Sequence, residues 1–155
     1  MKILTQAVLL GGLLLSALQA QAGRPVMAEH QMLASYRQEC ASCHMAYPPD
    51  FLSKTAWRRV MGSLSKHYGV DASLDAQTVA EITQWLDRTS GTYKRTVESS
   101  AGDRLTTTEW FLRKHREIPS SVFQRASIQS PSRCVACHVS ADRGIFSDDL
   151  VRIPK

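Results

Sequence analysis

One short pattern occurs twice in the 155-residue sequence and carries its clearest chemistry. Cys-x-x-Cys-His lies at residues 40–44 and again at residues 134–138, and the two copies use all 4 cysteines of the chain. Two thiols at this spacing can form thioethers with the vinyl groups along one edge of a porphyrin, while the next histidine offers a nitrogen to the iron. The pattern therefore predicts two covalently bound c-type haems.

The two motifs assign roles to their cysteines and histidines. We name the predicted cofactor of residues 40–44 haem 1 and that of residues 134–138 haem 2. The proximal iron ligands are then His44 and His138. The predicted thioether bonds form at the four cysteines, Cys40, Cys43, Cys134 and Cys137.

Zinc and disulfides are the alternative uses of paired cysteines. A structural zinc ribbon usually places its two pairs about 15 to 20 residues apart, whereas a long patterned stretch separates Cys43 from Cys134. Disulfides in an oxidising compartment would not require a histidine directly after each pair. Both alternatives are therefore weaker than haem attachment.

The second axial ligand of each iron decides what the haems can do. Three histidines remain after the proximal ligands are assigned: His30, His67 and His115. Spacing permits His67 to serve haem 1 and His115 to serve haem 2, and it leaves His30 open. The methionines are the other usual ligand type, namely Met27, Met32, Met45 and Met61. Bis-histidine ligation predicts lower reduction potentials than Met/His ligation.

Each of these histidines also has a simpler interpretation. His67 could interact with the terminal carbonyl groups of a helix, and His115 could be an exposed member of the charged run 113–117. His30 could be a surface residue of the first helix. Residue spacing alone does not separate these alternatives.

Helical patterns surround both motifs. A helix is predicted from His30 to Gln38, running into the first motif. A second follows the N-cap Ser53 and continues to Gly69, so that His67 lies near its end. The other predicted helices are one from the cap Asp75 to Gly91 and one from a capping box at Thr106 and Glu109 to Pro119. Strand patterning is weak, so the fold class is mainly α with little or no sheet.

Three segments follow from these patterns. Residues 1–22 have a charged start, an apolar run and a small-x-small cleavage site, which is typical of a secretory signal peptide. The apolar run of about 12 residues is too short for a spanning helix, which needs about 20. The mature chain divides into an N-terminal haem unit at 23–90 and a C-terminal haem unit at 91–155, with a polar linker at about 89–105.

Composition gives little support to a nucleic-acid role. The formal net charge is +5, from 19 basic side chains that are scattered among 14 acidic ones. This pattern is typical of solvated helix faces and of partners for haem propionates. Export fits the haem prediction, because c-type haem is attached outside the cytoplasmic membrane. We therefore expect a periplasmic protein.

Several elements together resemble the bacterial dihaem cytochromes c of the DHC type. The first motif is followed by Ala-Tyr-Pro-Pro at 46–49 and by His-Tyr-Gly-Val-Asp-Ala-Ser at 67–73. Trp-Phe at 110–111, His-Arg-Glu-Ile at 115–118 and Val-Arg-Ile-Pro at 151–154 are similar to the family's C-terminal half. The resemblance runs from about residue 36 to the end of the chain.

The resemblance implies a small periplasmic electron carrier with two bis-histidine haems. It implies a mainly helical N-terminal haem unit, a less regular C-terminal haem unit, and His67 and His115 as the distal ligands. It also implies a membrane b-type cytochrome as donor and a small oxygen-binding monohaem cytochrome c as acceptor. We expect a monomer that is not an enzyme and that exchanges electrons without binding substrate.

Two other functions remain open from the sequence. A dihaem peroxidase would need one iron with an open or displaceable distal position. An electron-transfer subunit of a larger periplasmic oxidoreductase, like the small dihaem subunit of nitrate reductase, would share the two attachment motifs. The Tyr-Pro-Pro element at 47–49 favours the free carrier over that subunit.

Overall fold

A computed structural model describes residues 26–91 and 103–155 of the chain. The predicted signal peptide at 1–22 and most of the predicted linker lie outside the described residues. In these two ranges the chain is helical and contains no strand, only three isolated bridges. The mainly α fold class is therefore confirmed.

Short helices and 3-10 turns make up the regular structure. The α-helices are α1 (Ala34–Cys40), α2 (Lys54–Met61), α3 (Ala76–Thr89), α4 (Glu109–Lys114) and α5 (Ser120–Phe123). Among the described residues, no helix is long and apolar enough to cross a membrane.

Two of the predicted helix caps are confirmed. The Ser53 hydroxyl accepts a hydrogen bond from the backbone N–H of Ala56 at 3.2 Å, at the start of α2. The Asp75 carboxylate accepts from Gln77 and Thr78 at 2.9 and 3.0 Å, at the start of α3. Each cap satisfies N–H groups that have no partner within the helix, and the Ser53 cap contributes about 1 kcal/mol.

The predicted helix from Ser53 to Gly69 is shorter in the structure. α2 ends at Met61 with Gly62 as its C-cap, and a separate 3-10 turn follows at Leu64–Lys66. The Ser63 hydroxyl donates a hydrogen bond to the Arg59 carbonyl at 2.8 Å. In a longer helix this carbonyl would accept from a backbone N–H instead, so the side chain competes with continuation of the helix. His67 consequently follows a tight turn and does not end an α-helix.

The helix start and stop predicted around residues 106–119 are also corrected. Thr108, not Thr106, is the N-cap of α4, and its hydroxyl accepts from Phe111 at 3.2 Å. α4 ends at Lys114, well before Pro119, which instead precedes the first residue of α5. A proline has no N–H to lose at a helix start, so Pro119 suits that place.

One hydrophobic core reaches both haem units. α2 packs on α3, and the core there includes Trp57, whose indole N–H donates to the Pro49 carbonyl at 2.6 Å. Phe51 continues this core toward the C-terminal half, where its ring lies 5.3 Å from Trp110 and 5.1 Å from Phe146. The division into units at 23–90 and 91–155 stays a prediction.

Gly144 lies where the N-terminal end of the described chain meets the C-terminal half. It has a φ of 71° and ends the 3-10 turn Ala141–Arg143. A Cβ atom at this position would collide with the carbonyl oxygen of Val26 and lie 3.2 Å from the Ala28 nitrogen. A glycine is therefore needed both for the left-handed backbone and for the close approach of two backbones.

We expect Gly144→Ala to lower the free energy of unfolding by about 2–4 kcal/mol, from backbone strain plus overpacking. Gly62→Ala is the control because Gly62 has an ordinary φ of −79°, and its change should stay within about 1 kcal/mol. Thermal unfolding of both variants measures the difference. Equal effects at the two positions would contradict the close approach seen here.

Candidate functional site

The first motif brings its histidine opposite His67. The imidazole centroids of His44 and His67 are 6.4 Å apart, and the ring planes differ by 25°. His44 lies just beyond the end of α1, whereas His67 is held by the turn after the 3-10 segment Leu64–Lys66. The structure therefore brings together the two histidines predicted for haem 1.

His44 is oriented by its neighbours in the chain. Its Nδ1 lies 2.7 Å from the Met45 carbonyl oxygen, and because a carbonyl only accepts, Nδ1 carries the proton. Its Nε2 then keeps a lone pair, which is the form that binds a metal. The Tyr47 ring stacks on the His44 ring, with centroids 4.5 Å apart and planes 17° apart.

A tight turn presents His67. Val70 donates to the His67 carbonyl at 3.1 Å, and the intervening Tyr68 and Gly69 have φ values of 50° and 104°. The Tyr68 ring packs edge-on against His67 at 4.8 Å. The Arg104 guanidinium carbon lies 4.3 Å from the Tyr68 ring centroid, which is a cation–π contact that covers the turn.

The electrostatic surroundings favour the neutral form of His67. Burial lowers the pKa of His67, and the imidazole of His44 and the charge of Arg104 lower it further. A neutral imidazole is the metal-binding form of histidine. The environment that the chain builds therefore suits ligation at this position.

The second motif brings its histidine opposite His115. The centroids of His115 and His138 are 6.1 Å apart, and the ring planes cross at 83°. Nδ1 of His115 donates to the Phe111 carbonyl at 2.9 Å, and its ring stacks on Phe111 at 4.0 Å. The distal candidate of haem 2 is thus fixed by the last turn of α4.

His138 lies against a large cavity. The cavity has a volume of about 480 Å³, and both His115 and His138 line it together with Cys134 and Cys137. Aromatic side chains form much of the remaining wall: Phe51, Trp110, Phe111, Phe123 and Phe146. This volume lies within the roughly 300–1,000 Å³ usual for pockets that hold cofactor-sized molecules.

One buried nitrogen at this cavity has no protein partner. Nδ1 of His138 is buried and receives no hydrogen bond from the described residues. Burial lowers the pKa of His138, the nearby His115 lowers it too, and Asp148 acts in the opposite direction. An unpaired buried polar atom is costly, so the chain alone leaves this histidine incompletely satisfied.

Both histidine pairs have the spacing that a shared metal ion requires. Metal–nitrogen bonds of about 2.0–2.1 Å on opposite faces, plus about 1.1 Å from each nitrogen to its ring centroid, place two imidazole centroids about 6.3 Å apart. The separations of 6.4 and 6.1 Å agree with this value. The residues present therefore fit a six-coordinate iron between each pair.

The four cysteines form no disulfide with one another. Burial raises the pKa of Cys40 to about 12 and that of Cys134 to about 11, so both stay protonated in the chain alone. Within residues 26–91 and 103–155, no group of three or more His, Cys, Asp or Glu side chains could hold a metal ion.

The remaining candidates for axial ligation lie elsewhere. His30 is exposed on the 3-10 turn Glu29–Gln31, and no ring contact in the described chain joins it to another histidine. Met32 and Met61 are buried in the core, and Met27 packs against it. Met45 is half-buried beside His44, to whose ring nitrogen it offers its carbonyl.

Residue types alone did not identify the side chains that orient these histidines. Phe111 and Tyr47 stack on ligand candidates, and Arg104 covers the turn that holds His67. Phe111 could be identified from the sequence, because it lies four residues before His115 and such positions share one face of a helix. The sequence gives no such indication for Arg104, because it lies far from His67 along the chain.

The chain is similar to a known protein family and to solved structures. The family model for dihaem cytochrome c matches residues 36–146. The crystal structure of a dihaem c-type cytochrome from Shewanella baltica OS155 is similar, with a TM-score of 0.69, 36% identity, and coverage of 83% of this chain and 95% of that chain.

Two structures of dihaem cytochrome c from Rhodobacter sphaeroides are also similar. They match with TM-scores of 0.63 and identities of 34% and 33%, over 72% of this chain and 95% and 94% of theirs. The comparison with curated proteins found no relative.

The N-cap of α4 gives a test of how His115 is held. Thr108→Val removes a buried hydroxyl that caps α4, so we expect the free energy of unfolding to fall by about 1–2 kcal/mol. Thr107→Val makes the same change one residue earlier, where the hydroxyl is exposed and donates to the Arg104 carbonyl at 2.9 Å, and it should cost less, within about 1 kcal/mol. Chemical denaturation of both variants checks this. A larger loss in the Thr107 variant would contradict the assigned cap.

Proposed function

The chain belongs to the dihaem cytochrome c family and carries two covalently bound c-type haems, and from this premise we propose that it is a periplasmic carrier that exchanges single electrons with other redox proteins. The observation that carries the proposal is the presence of two opposed histidine pairs, each at the spacing of one shared iron. With His44 and His67 on one iron and His138 and His115 on the other, neither iron would have a place for substrate.

We assign His44 and His67 to haem 1, and His138 and His115 to haem 2. The thioethers of haem 1 form at Cys40 and Cys43, and those of haem 2 form at Cys134 and Cys137. The short approach within each histidine pair supports this assignment over crossed pairing.

The bound haems supply one-electron exchange between ferric and ferrous iron. The protein's part is to keep the ligands in place while the charge changes. Met45 and Phe111 fix the proton of one histidine in each pair on Nδ1, and aromatic rings stack on those same histidines. Ligands held in this way rearrange little, which favours fast transfer.

The proposed partners follow from the family resemblance and from the sequence. A membrane b-type cytochrome would donate electrons, and a small oxygen-binding monohaem cytochrome c would accept them. Residues 1–22 would direct export, after which the carrier would act in the periplasm as a monomer. Encounters between such partners depend on charge more for rate than for affinity.

A peroxidase-like enzyme and a subunit of a larger oxidoreductase are the competing functions. The peroxidase would need a vacant or displaceable distal position, and the closed geometry of both histidine pairs argues against it. The small subunit of a nitrate reductase would also have both histidine pairs closed, so this geometry does not distinguish it from a free carrier. Copurification with a catalytic partner would distinguish the two functions.

Carbon monoxide tests whether both irons are closed. We expect the dithionite-reduced protein to bind no carbon monoxide, because each iron already has two imidazole ligands. His67→Ala and His115→Ala should each open one haem and bind one equivalent, followed as a shift of the Soret band. His30→Ala is the control and should bind none.

Ready binding of the gas by the unaltered protein would contradict the carrier proposal. It would favour peroxidase-like or gas-binding chemistry at that haem. Binding by the His30 variant alone would move the distal ligand from His67 or His115 to His30.

The ring planes predict two different ferric signals. An imidazole ligand interacts by π donation with the iron d orbital that its plane selects, so near-parallel rings split two d orbitals and crossed rings leave them close in energy. The planes differ by 25° at haem 1 and by 83° at haem 2. We therefore expect a rhombic low-spin signal from haem 1 and a highly anisotropic one from haem 2 in low-temperature EPR.

The histidine variants assign these signals. His67→Ala should remove the rhombic signal and His115→Ala the anisotropic one. Two rhombic signals in the unaltered protein would show that the crossed arrangement at haem 2 is wrong.

A further inference from the structure

Tyr47 contacts both haem sites. Its ring stacks on His44, the proximal ligand of haem 1, at 4.5 Å. Its hydroxyl donates to the Ser132 carbonyl at 3.0 Å, across 85 residues of sequence. The thiol of Cys134, which attaches haem 2, lies 3.7 Å from the same carbonyl oxygen. One side chain therefore connects a ligand of one haem to the attachment segment of the other.

We propose that Tyr47 is the positioning residue that links the two haems, setting their relative placement and carrying electronic coupling between them. The inference rests on the proposed electron-transfer function. The reaction it serves is a one-electron exchange in which one iron is oxidised and the other is reduced, with no bond formed or broken. Tyr47 lies on the connection between them and is itself unchanged.

The local structure holds Tyr47 at three points. Its carbonyl accepts a hydrogen bond from the buried Tyr36 hydroxyl at 2.8 Å. Two buried prolines, Pro48 and Pro49, follow it, and a residue before proline is restricted to extended backbone. With the ring against His44 and the hydroxyl on Ser132, this side chain has little freedom to leave its place.

The aromatic core offers no comparable connection. The Phe146 ring lies 5.3 Å from the His138 ring and also contacts Phe51, whose ring in turn contacts Trp110. Among the described residues, no ring contact extends from Phe51 to His44 or His67. Electron tunnelling is more efficient through bonded and hydrogen-bonded groups than across gaps, so the Tyr47 connection is favoured over the aromatic one.

Tyr47→Phe tests the link because it keeps the stacked ring and removes only the hydrogen bond to Ser132. A hydrogen bond of this kind changes the equilibrium constant between the linked and unlinked arrangements by about 2- to 13-fold, and we expect the interhaem transfer rate to fall by up to that factor. The holoprotein is mixed with half an equivalent of dithionite, frozen at increasing times and measured by EPR. In the Tyr47→Phe variant the ferric EPR signal of haem 2 should also shift, although Tyr47 does not ligate that haem.

Thr89→Val is the matched control. It also removes one hydroxyl that donates to a backbone carbonyl, that of Trp85 at 2.9 Å, but this bond lies within α3 and does not involve Tyr47. It should lower stability without changing the interhaem rate or the signal of haem 2. Tyr47→Leu, which also removes the stacked ring, should slow transfer further and alter the signal of haem 1.

An unchanged rate and unchanged haem 2 signal in Tyr47→Phe would overturn the proposal. So would an equal fall in rate in the Thr89 variant, which would show a general effect of destabilisation. If the unaltered protein shows no transfer between its haems, the carrier function itself fails, which is a distinguishable result.

Discussion

The structure depends on one geometric requirement, that two imidazole rings from separate segments meet at the distance of a shared iron. The pairs His44–His67 and His115–His138 meet it at 6.4 and 6.1 Å. A motif can place only one ring of each pair. The other ring is delivered by a tight turn in one case and by the end of α4 in the other, so the helices serve mainly to bring these positions opposite the motifs.

The two sites meet this requirement in different ways. His67, the proposed distal ligand of haem 1, is presented by a turn with left-handed backbone at Tyr68 and Gly69, and its ring is nearly parallel to that of His44. His115, the proposed distal ligand of haem 2, is tied to Phe111 one helical turn earlier, and its ring crosses that of His138. Axial ligands tune the properties of haem iron, so two haems held by the same ligand types would differ in electronic character.

Contacts between the halves make the sites parts of one body. Phe51 joins the core of α2 and α3 to Trp110 and Phe146, and Tyr47 joins the first motif to the segment before the second. A small chain has little apolar area to bury, and haem adds large apolar plates to each site. Attachment and folding should therefore support one another.

The sequence by itself determined the cofactor class, the helical fold class and the caps Ser53 and Asp75, and it predicted the four attachment cysteines and both proximal histidines, because these depend on residue type and short spacing. It did not determine that α2 stops at Gly62 or that α4 starts after Thr108, since local hydrogen bonds of Ser63 and Thr108 decide those ends. Only the tertiary structure decided which distal histidine faces which motif, the angle between the rings, and the roles of Tyr47 and Arg104. These features depend on contacts between residues far apart along the chain, which no local pattern contains.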